Sequence, residues 1–318
     1  MTSFSTSSND KKSRDNDEYV TVIAYMRDRD ASPQRRMSDL LFRLAQTISL
    51  STVELQATAS EQKTSPNTLW QRKPHGIFYS SRSPLSVNTF FHDAEINRVD
   101  LTTMSASIQR KGSKSRLIDY LLDLCYYAPL SGVGIVEDAY WHLSINSSLL
   151  CELSPSSQAN ELIVEILTNF GSDNNVYSGF FEIAKNHETW AGNYYNKLRM
   201  PSTMLDREIE HYAWLNAGER RRHYVRRIFP LNLISKQHVD RLGGEKFLEA
   251  YEDFAESSVQ KFKYRFTQLL PSGAALIWTW PHLMEFSVNS RKLSKQLPFS
   301  AAPAAWLHER FRDAQMLI

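Results

Sequence analysis

The sequence lacks the short motifs that most often mark a catalytic or metal centre. It has no CxxC pair, no HExxH pair, no GxSxG elbow and no complete glycine-rich phosphate loop. Residues 131–134, SGVG, carry two of the three glycines of a dinucleotide fingerprint and fit a turn better. A local zinc site, a serine hydrolase of the elbow type and a nucleotide-binding loop therefore have no support along the chain.

Long apolar runs, cysteines and strong net charge are also scarce. No run of 18 apolar residues exists and the first residues form no apolar signal segment, so we expect a cytoplasmic chain without a membrane span. A net charge of +2 is weak for a dedicated nucleic-acid binder. We expect the two cysteines, Cys125 and Cys151, to be buried thiols rather than a disulfide, as suits a reducing compartment.

The nine histidines do not form a metal-ligand pattern. His282 and Glu285 are three residues apart and could share a helix face as a metal or acid–base pair, but such pairs often arise by chance. We therefore predict no catalytic residues, no metal site and no cofactor. A catalytic site built from residues far apart in the sequence stays open, because catalytic groups meet in space rather than along the chain.

What the sequence does contain is an interleaved set of strand and helix patterns. With 318 residues and 42% hydrophobic residues, the chain can bury a sizeable core. β-Branched and aromatic runs predict strands over residues 19–25, 77–79, 99–104, 139–145, 176–184 and 274–280. Helical spacing and caps predict helices that begin at Pro33 and Ser156, and further helices over 117–125, 245–256 and 304–315.

These elements predict an α+β fold, with mainly antiparallel sheet and packed helices, because hairpin-like neighbours replace regular βαβ spacing. The polar residues 1–17 are predicted to be a disordered tail, and 18–318 a single α+β domain. An internal duplication would divide that domain into similar halves, 18–150 and 151–318. Residues 56–75 are predicted to be a loop and 105–116 a flexible basic connection.

A basic stretch supports one functional hypothesis, nucleic-acid binding. Five arginines fall within eight positions: Arg220, Arg221, Arg222, Arg226 and Arg227. They could follow a phosphate backbone, together with a second basic group made of Arg110, Lys111, Lys114 and Arg116. The competing interpretation, which we favour, is that their stems cover apolar surface and their charges pair with nearby acids.

An acidic stripe supports a different hypothesis, binding to a basic protein. Its members recur at helical spacing and would share one helix face: Glu245, Glu249, Glu252, Asp253 and Glu256. Phe247, Tyr251 and Phe254 would anchor the opposite face. The stripe is either the solvated face of a packed helix or a surface for a basic partner.

One segment, residues 210–244, resembles a stretch of a bacterial immunity family found beside type VI secretion toxins. That family shows an Arg–aromatic strand, an apolar-Asn-apolar turn and a short helix ending in Leu-Gly-Gly. The matching positions here are Tyr224, Arg226, Asn232, Leu233, Leu242, Gly243 and Gly244. The resemblance implies an immunity protein, without catalytic residues, that blocks a cognate toxin by occluding its active site. Because no apolar signal segment is present, we expect that toxin to act in the cytoplasm. Nucleic-acid binding or regulation stays the alternative, and the oligomeric state stays open.

Overall fold

The computed structural model describes residues 18–48, 54–61, 75–81, 101–109, 120–127, 131–132, 135–136, 138–146, 150, 156–185, 218–225, 228–258, 265–280 and 302–317. The predicted tail 1–17, the predicted buried thiol Cys151 and the pair His282 and Glu285 lie outside these residues. Among the described residues, no helix is both long enough and apolar enough to cross a membrane.

The described strands form a large antiparallel sheet, which confirms the predicted α+β class. Its ten strands are β1 Glu18–Met26, β2 Glu54–Glu61, β3 His75–Ser81, β4 Leu101–Gln109, β5 Tyr120–Tyr127, β8 Ala139–Asn146, β9 Val176–Lys185, β10 Leu231–Ile234, β11 Thr267–Leu269 and β12 Ala275–Trp278. Their order across the sheet is β11-β12-β10-β9-β1-β8-β5-β4-β2-β3. Two short strands, β6 Ser131–Gly132 and β7 Ile135–Val136, pair separately.

The described helices are five α-helices and one 3₁₀ helix. The α-helices are α1 Pro33–Ile48, α2 Ser156–Gly171, α3 Lys236–Leu242, α4 Glu245–Ser258 and α5 Ala302–Asp313, and the 3₁₀ helix is Gly218–His223. The predicted starts at Pro33 and Ser156 are confirmed. Helix α1 buries Met37, Leu40 and Leu44, whose spacing produces a single apolar stripe.

One face of the sheet forms the main core with α1 and α2. Strand β1 contributes Val20, Val22 and Ala24 to it, and β8 contributes Trp141 and other alternate residues. Trp141 is 1% exposed and lies 4.9 Å from the ring of Tyr126 and 6.0 Å from the ring of Phe170. We call this surface the apolar face.

The C-terminal elements pack around β11 and β12, which form an antiparallel hairpin. The turn places Gly273 at φ 81°, a left-handed conformation that favours glycine. Helix α4 packs against α5 through Trp306, whose ring lies 5.4 Å from Tyr251 and 5.7 Å from Phe254. The Tyr251 hydroxyl donates a hydrogen bond of 2.7 Å to the Trp278 carbonyl, which ties α4 to the sheet.

Three local predictions were wrong. The predicted helix over 117–125 is wrong because residues 120–127 form strand β5. The predicted loop over 56–75 begins inside strand β2, and the predicted basic connection over 105–116 begins inside strand β4.

In β5, Leu122, Leu124 and Tyr126 are buried on the apolar face, and Asp123 and Cys125 between them lie on the opposite face. The spacing of Leu121, Leu122 and Cys125 fits a helix, whereas the alternation of buried residues fits a strand. Pairing with β4 and β8 stabilises the strand.

Strand β2 and the second half of β4, which follows the predicted strand over 99–104, were missed for a different reason. Their sequences, ELQATASE and LTTMSASIQ, are rich in small and polar residues, which have weak strand preference. Each pairs on both sides, β2 with β3 and β4, and β4 with β2 and β5. Backbone hydrogen bonds to neighbouring strands therefore override the local preference.

Candidate functional site

The second face of the sheet carries buried polar side chains beside a small apolar cluster of Ile23, Phe180 and Phe229, and we call it the polar face. Its polar members are alternate residues of the central strands: Thr21, Asp123, Cys125, Tyr140, His142, Ser144, Ser178 and Glu182. In one row across the sheet, Asp123 lies opposite Ser144, Ser144 opposite Thr21, and Thr21 opposite Glu182. Most of these side chains are buried, with Thr21 and Ser144 both 0% exposed.

Two hydroxyls on this face have no hydrogen-bond partner within the described structure. They are Thr21 Oγ1 and Ser144 Oγ, which belong to facing residues of β1 and β8. A buried polar group without a partner costs about 1–3 kcal/mol, so these hydroxyls do not stabilise the fold. Such groups call for an explanation other than stability, and a bound ligand or water is one.

Beside these hydroxyls, three side chains bring metal-ligating atoms together. Asp123 and Cys125 lie two residues apart on β5, and His142 lies directly opposite Cys125 on β8. One potential ligand atom from each residue lies within 4.8 Å of the other two. The Cys125 thiol donates a hydrogen bond of 3.4 Å to Asp123 Oδ2. We call these residues the Asp–Cys–His cluster.

Burial and neighbouring charge decide the protonation of the cysteine in this cluster. Burial, and next the Asp123 carboxylate, raise the pKa of the Cys125 thiol well above its ordinary value. Burial likewise raises the pKa of Tyr127, which lies on the same face. Cys125 is a free thiol, as predicted, and without a bound cation it stays protonated at neutral pH. The raised pKa of the thiol disfavours a reactive thiolate nucleophile, and a cation that bound here would have to displace the proton.

The cluster has no signal along the chain because its residues come from two strands that are separated in the sequence. Asp123 and Cys125 also fell in a stretch predicted to be helical, where residues two apart point in different directions. A strand assignment over 120–127 would have placed both on one face. The pairing with His142 has no local signal, because strand partners are decided by the sheet.

The arginine stretch is partly structural. Arg221 Nε donates a hydrogen bond of 2.8 Å to Asp138 Oδ2, and Arg222 Nη2 donates one of 2.7 Å to Asp138 Oδ1. The Tyr177 hydroxyl donates a third hydrogen bond to the same carboxylate, at 3.1 Å. Asp138 and Arg221 are only 5% and 3% exposed. Burial of a charged pair is tolerated when hydrogen bonds satisfy both partners, as they do here.

The remaining basic residues do not meet in one described surface. Arg220 is exposed, whereas Arg222 is half-buried and also donates to the Arg27 carbonyl at 2.9 Å. Arg226 and Arg227 lie outside the described residues. So do the four residues of the second basic group, Arg110, Lys111, Lys114 and Arg116.

The acidic stripe lies on α4, and four of its five members share an exposed surface. Glu245, Glu249, Asp253 and Glu256 are exposed, and no described cation forms an ion pair with any of them. We call these four residues the acidic face. By contrast, other exposed acids have cation partners, such as Asp240 with Lys236 at 2.6 Å.

The fifth member, Glu252, has a structural role instead. Its Oε1 accepts a hydrogen bond of 2.7 Å from the Phe266 backbone, and its Oε2 accepts one of 2.6 Å from the Thr267 hydroxyl. Both donors belong to the start of the β11–β12 hairpin. Glu252 therefore anchors α4 to the sheet and is not available to a partner in the same way as the other four.

The residues that carry the family resemblance shape the backbone. Asn232 Nδ2 donates a hydrogen bond of 2.7 Å to the Phe229 carbonyl, and the Phe229 backbone N–H donates one of 2.9 Å to Asn232 Oδ1. Gly243 and Gly244 adopt φ of 112° and 70°, which ends α3 and allows α4 to begin at once. This part of the motif therefore orients α4 relative to β10.

Comparisons with known proteins find similarity among solved structures. No protein-family model matches the chain, and no curated protein matches it. The solved structures include the Pseudomonas aeruginosa T6SS protein PA0821, to which the chain is similar with a TM-score of 0.43 and 15% identity. The similarity covers 84% of this chain and 67% of that one. At this TM-score and identity, the similarity is not a basis for assigning function.

Proposed function

We propose that this chain is an immunity protein that binds and blocks a cognate secreted toxin, and that the acidic face of α4 contacts the toxin. The observation that carries the proposal is the set of four exposed carboxylates without described cation partners. The proposal places the protein in the cytoplasm, where its toxin would act. It requires no catalytic residue and no cofactor.

Electrostatics explains why such a surface would suit this partner. A toxin that acts on nucleic acid or nucleotides needs a basic cleft to attract phosphate groups. A carboxylate-bearing surface that enters this cleft would speed association and exclude other partners. The toxin class is thus part of the proposal, because a basic active site is the feature that the acidic face would recognise.

The attachment of α4 supports the same proposal. Tyr251 and Glu252 hold the helix to β11 and β12, and Trp306 covers its inner side. The acidic face is therefore presented on a rigid support. A rigid binding surface loses little conformational entropy on association, which favours tight inhibition.

The nucleic-acid alternative has less support from the described geometry. Arg221 is buried against Asp138, and Arg222 shares the same carboxylate. The buried Arg221 guanidinium cannot reach a phosphate backbone without breaking this pairing. The alternative predicts retention of DNA or RNA at low salt that falls steeply as salt rises.

The first experiment co-expresses this chain with the toxin encoded beside it. We expect cells that make both proteins to grow, and cells that make the toxin alone to die. Equal killing with and without this chain would overturn the immunity proposal, whatever surface is involved.

The second experiment tests the acidic face by charge reversal. The double variant Glu249→Lys/Glu256→Lys should bind the toxin about 10- to 100-fold more weakly, mainly through slower association if the residues lie at the rim. Glu252 is left unchanged because it anchors the hairpin.

A matched control carries the same change in charge at exposed acids on other helices, Glu161→Lys/Glu309→Lys. It should keep wild-type affinity in the same binding assay. Equal affinity of both folded variants would show that the acidic face is only solvated surface. An equal loss in both would show a response to net charge rather than to this surface.

A further inference from the structure

We propose that Asp123, Cys125 and His142 form a Zn²⁺-binding site on the polar face of the sheet. This inference is independent of the proposed function, because the cluster lies on β5 and β8 and the acidic face lies on α4. The sequence predicts no metal site, since no ligands occur at local spacing along the chain. The sheet assembles the ligands instead.

The ligand set selects the metal. A thiolate, an imidazole and a carboxylate together suit Zn²⁺, whereas Ca²⁺ and Mg²⁺ take oxygen ligands. Three protein ligands on a rigid scaffold leave the fourth tetrahedral position for a water molecule or another ligand. Asp123 is half-buried while Cys125 and His142 are buried, so a metal ion would enter past the carboxylate.

The spacing is close to that of a formed site. Zinc bond lengths of about 2.0–2.3 Å at tetrahedral angles place neighbouring ligand atoms about 3.4–3.6 Å apart. The Cys125 sulfur and Asp123 Oδ2 are already 3.4 Å apart. All three ligand atoms lie within 4.8 Å of one another, so contraction by about 1 Å completes the site. Rotation of the side chains supplies such a shift without moving either strand.

A buried hydroxyl provides a second, separate observation. Ser144 Oγ has no hydrogen-bond partner within the described structure, and Ser144 lies opposite Asp123 on the same face. A metal ligand or metal-bound water beside Asp123 would give the Ser144 hydroxyl a partner, and hydrogen bonds of that kind orient the ligands of metal sites.

The test uses the full chain without an affinity tag, stripped of metal and then titrated with Co²⁺ in place of Zn²⁺. We expect a thiolate-to-Co²⁺ charge-transfer band that saturates at one ion per chain and disappears when Zn²⁺ is added. Metal analysis after Zn²⁺ loading should give the same stoichiometry. Absence of the band in the wild-type chain overturns the proposal without reference to any variant.

Variants then assign the ligands. Cys125→Ser should abolish the band, and His142→Gln and Asp123→Asn should weaken Zn²⁺ binding at least about tenfold. Ser144→Ala, beside the ligands, should weaken it by about tenfold or more. Cys151→Ser and the exposed His308→Gln are the matched controls and should bind like the wild type.

Two further outcomes are decisive. If the band persists in Cys125→Ser and is lost in Cys151→Ser, the metal binds elsewhere and the proposal is wrong. If Cys125→Ser does not fold, Asp123→Asn and His142→Gln carry the assignment, and unchanged Zn²⁺ affinity in both overturns it. Circular dichroism of each metal-free variant verifies the fold before titration.

Discussion

The two faces of the sheet differ although the same strands build both. On β1, Val20, Val22 and Ala24 enter the apolar core, whereas Thr21 lies on the polar face. On β8, Trp141 enters the core and His142 lies on the polar face. Burial and packing explain the residues of the apolar face, but they do not explain buried hydroxyls without hydrogen-bond partners. On the polar face, therefore, some residues need an explanation other than stability.

The largest effect should come from breaking the apolar face at its centre. Trp141→Ala removes a fully buried ring and its hydrogen bond of 3.0 Å to Asp30, and should cost about 5 kcal/mol in free energy of unfolding. Tyr140→Ala, one residue away on the polar face and half-buried, should cost about 2 kcal/mol. Urea denaturation of both variants measures the difference. Equal losses would show that the two faces contribute alike to stability.

An intermediate effect should come from the partnered charges at the start of β8. Arg221→Met leaves the buried Asp138 carboxylate with fewer partners and should cost about 3 kcal/mol. The neighbouring exposed Arg220→Met should change stability by about 0.5 kcal/mol or less. The measurement is again urea denaturation. A small loss in Arg221→Met would show that this arginine is not structural and would reopen the nucleic-acid hypothesis.

The smallest effects give the sharpest comparison, because valine and threonine have nearly the same shape. Exchanging them at two neighbouring residues changes little except the position of a hydroxyl. Val22→Thr buries a new hydroxyl on the apolar face and should cost about 1–3 kcal/mol. Thr21→Val removes a hydroxyl without a described partner and should stabilise the metal-free chain by about 1 kcal/mol. Thermal unfolding of both variants, in chelator, tests the signs. Destabilisation by Thr21→Val would show that its hydroxyl is satisfied in solution.

Local sequence predicted most of the helices, because caps and apolar spacing act within a few residues. The starts at Pro33 and Ser156, and the helices over 245–256 and 304–315, are of this kind. The acidic stripe was also predicted from helical spacing, but the structural role of one member, Glu252, could not be predicted. Glu252 repeats at the same spacing as its neighbours, yet it bonds to Phe266 and Thr267, residues that no helical pattern includes.

By itself, then, the sequence determined the α+β class, the apolar stripes of α1 and α2 and the glycine end of α3, since each depends on local conformational preference. Only the tertiary structure decided that residues 120–127 form a strand, that Arg221 pairs with Asp138, and that Asp123 and Cys125 meet His142. The physical reason is the same in all three cases. Strand pairing and burial join residues that are distant along the chain, and their free energy outweighs local preferences that are close to balanced.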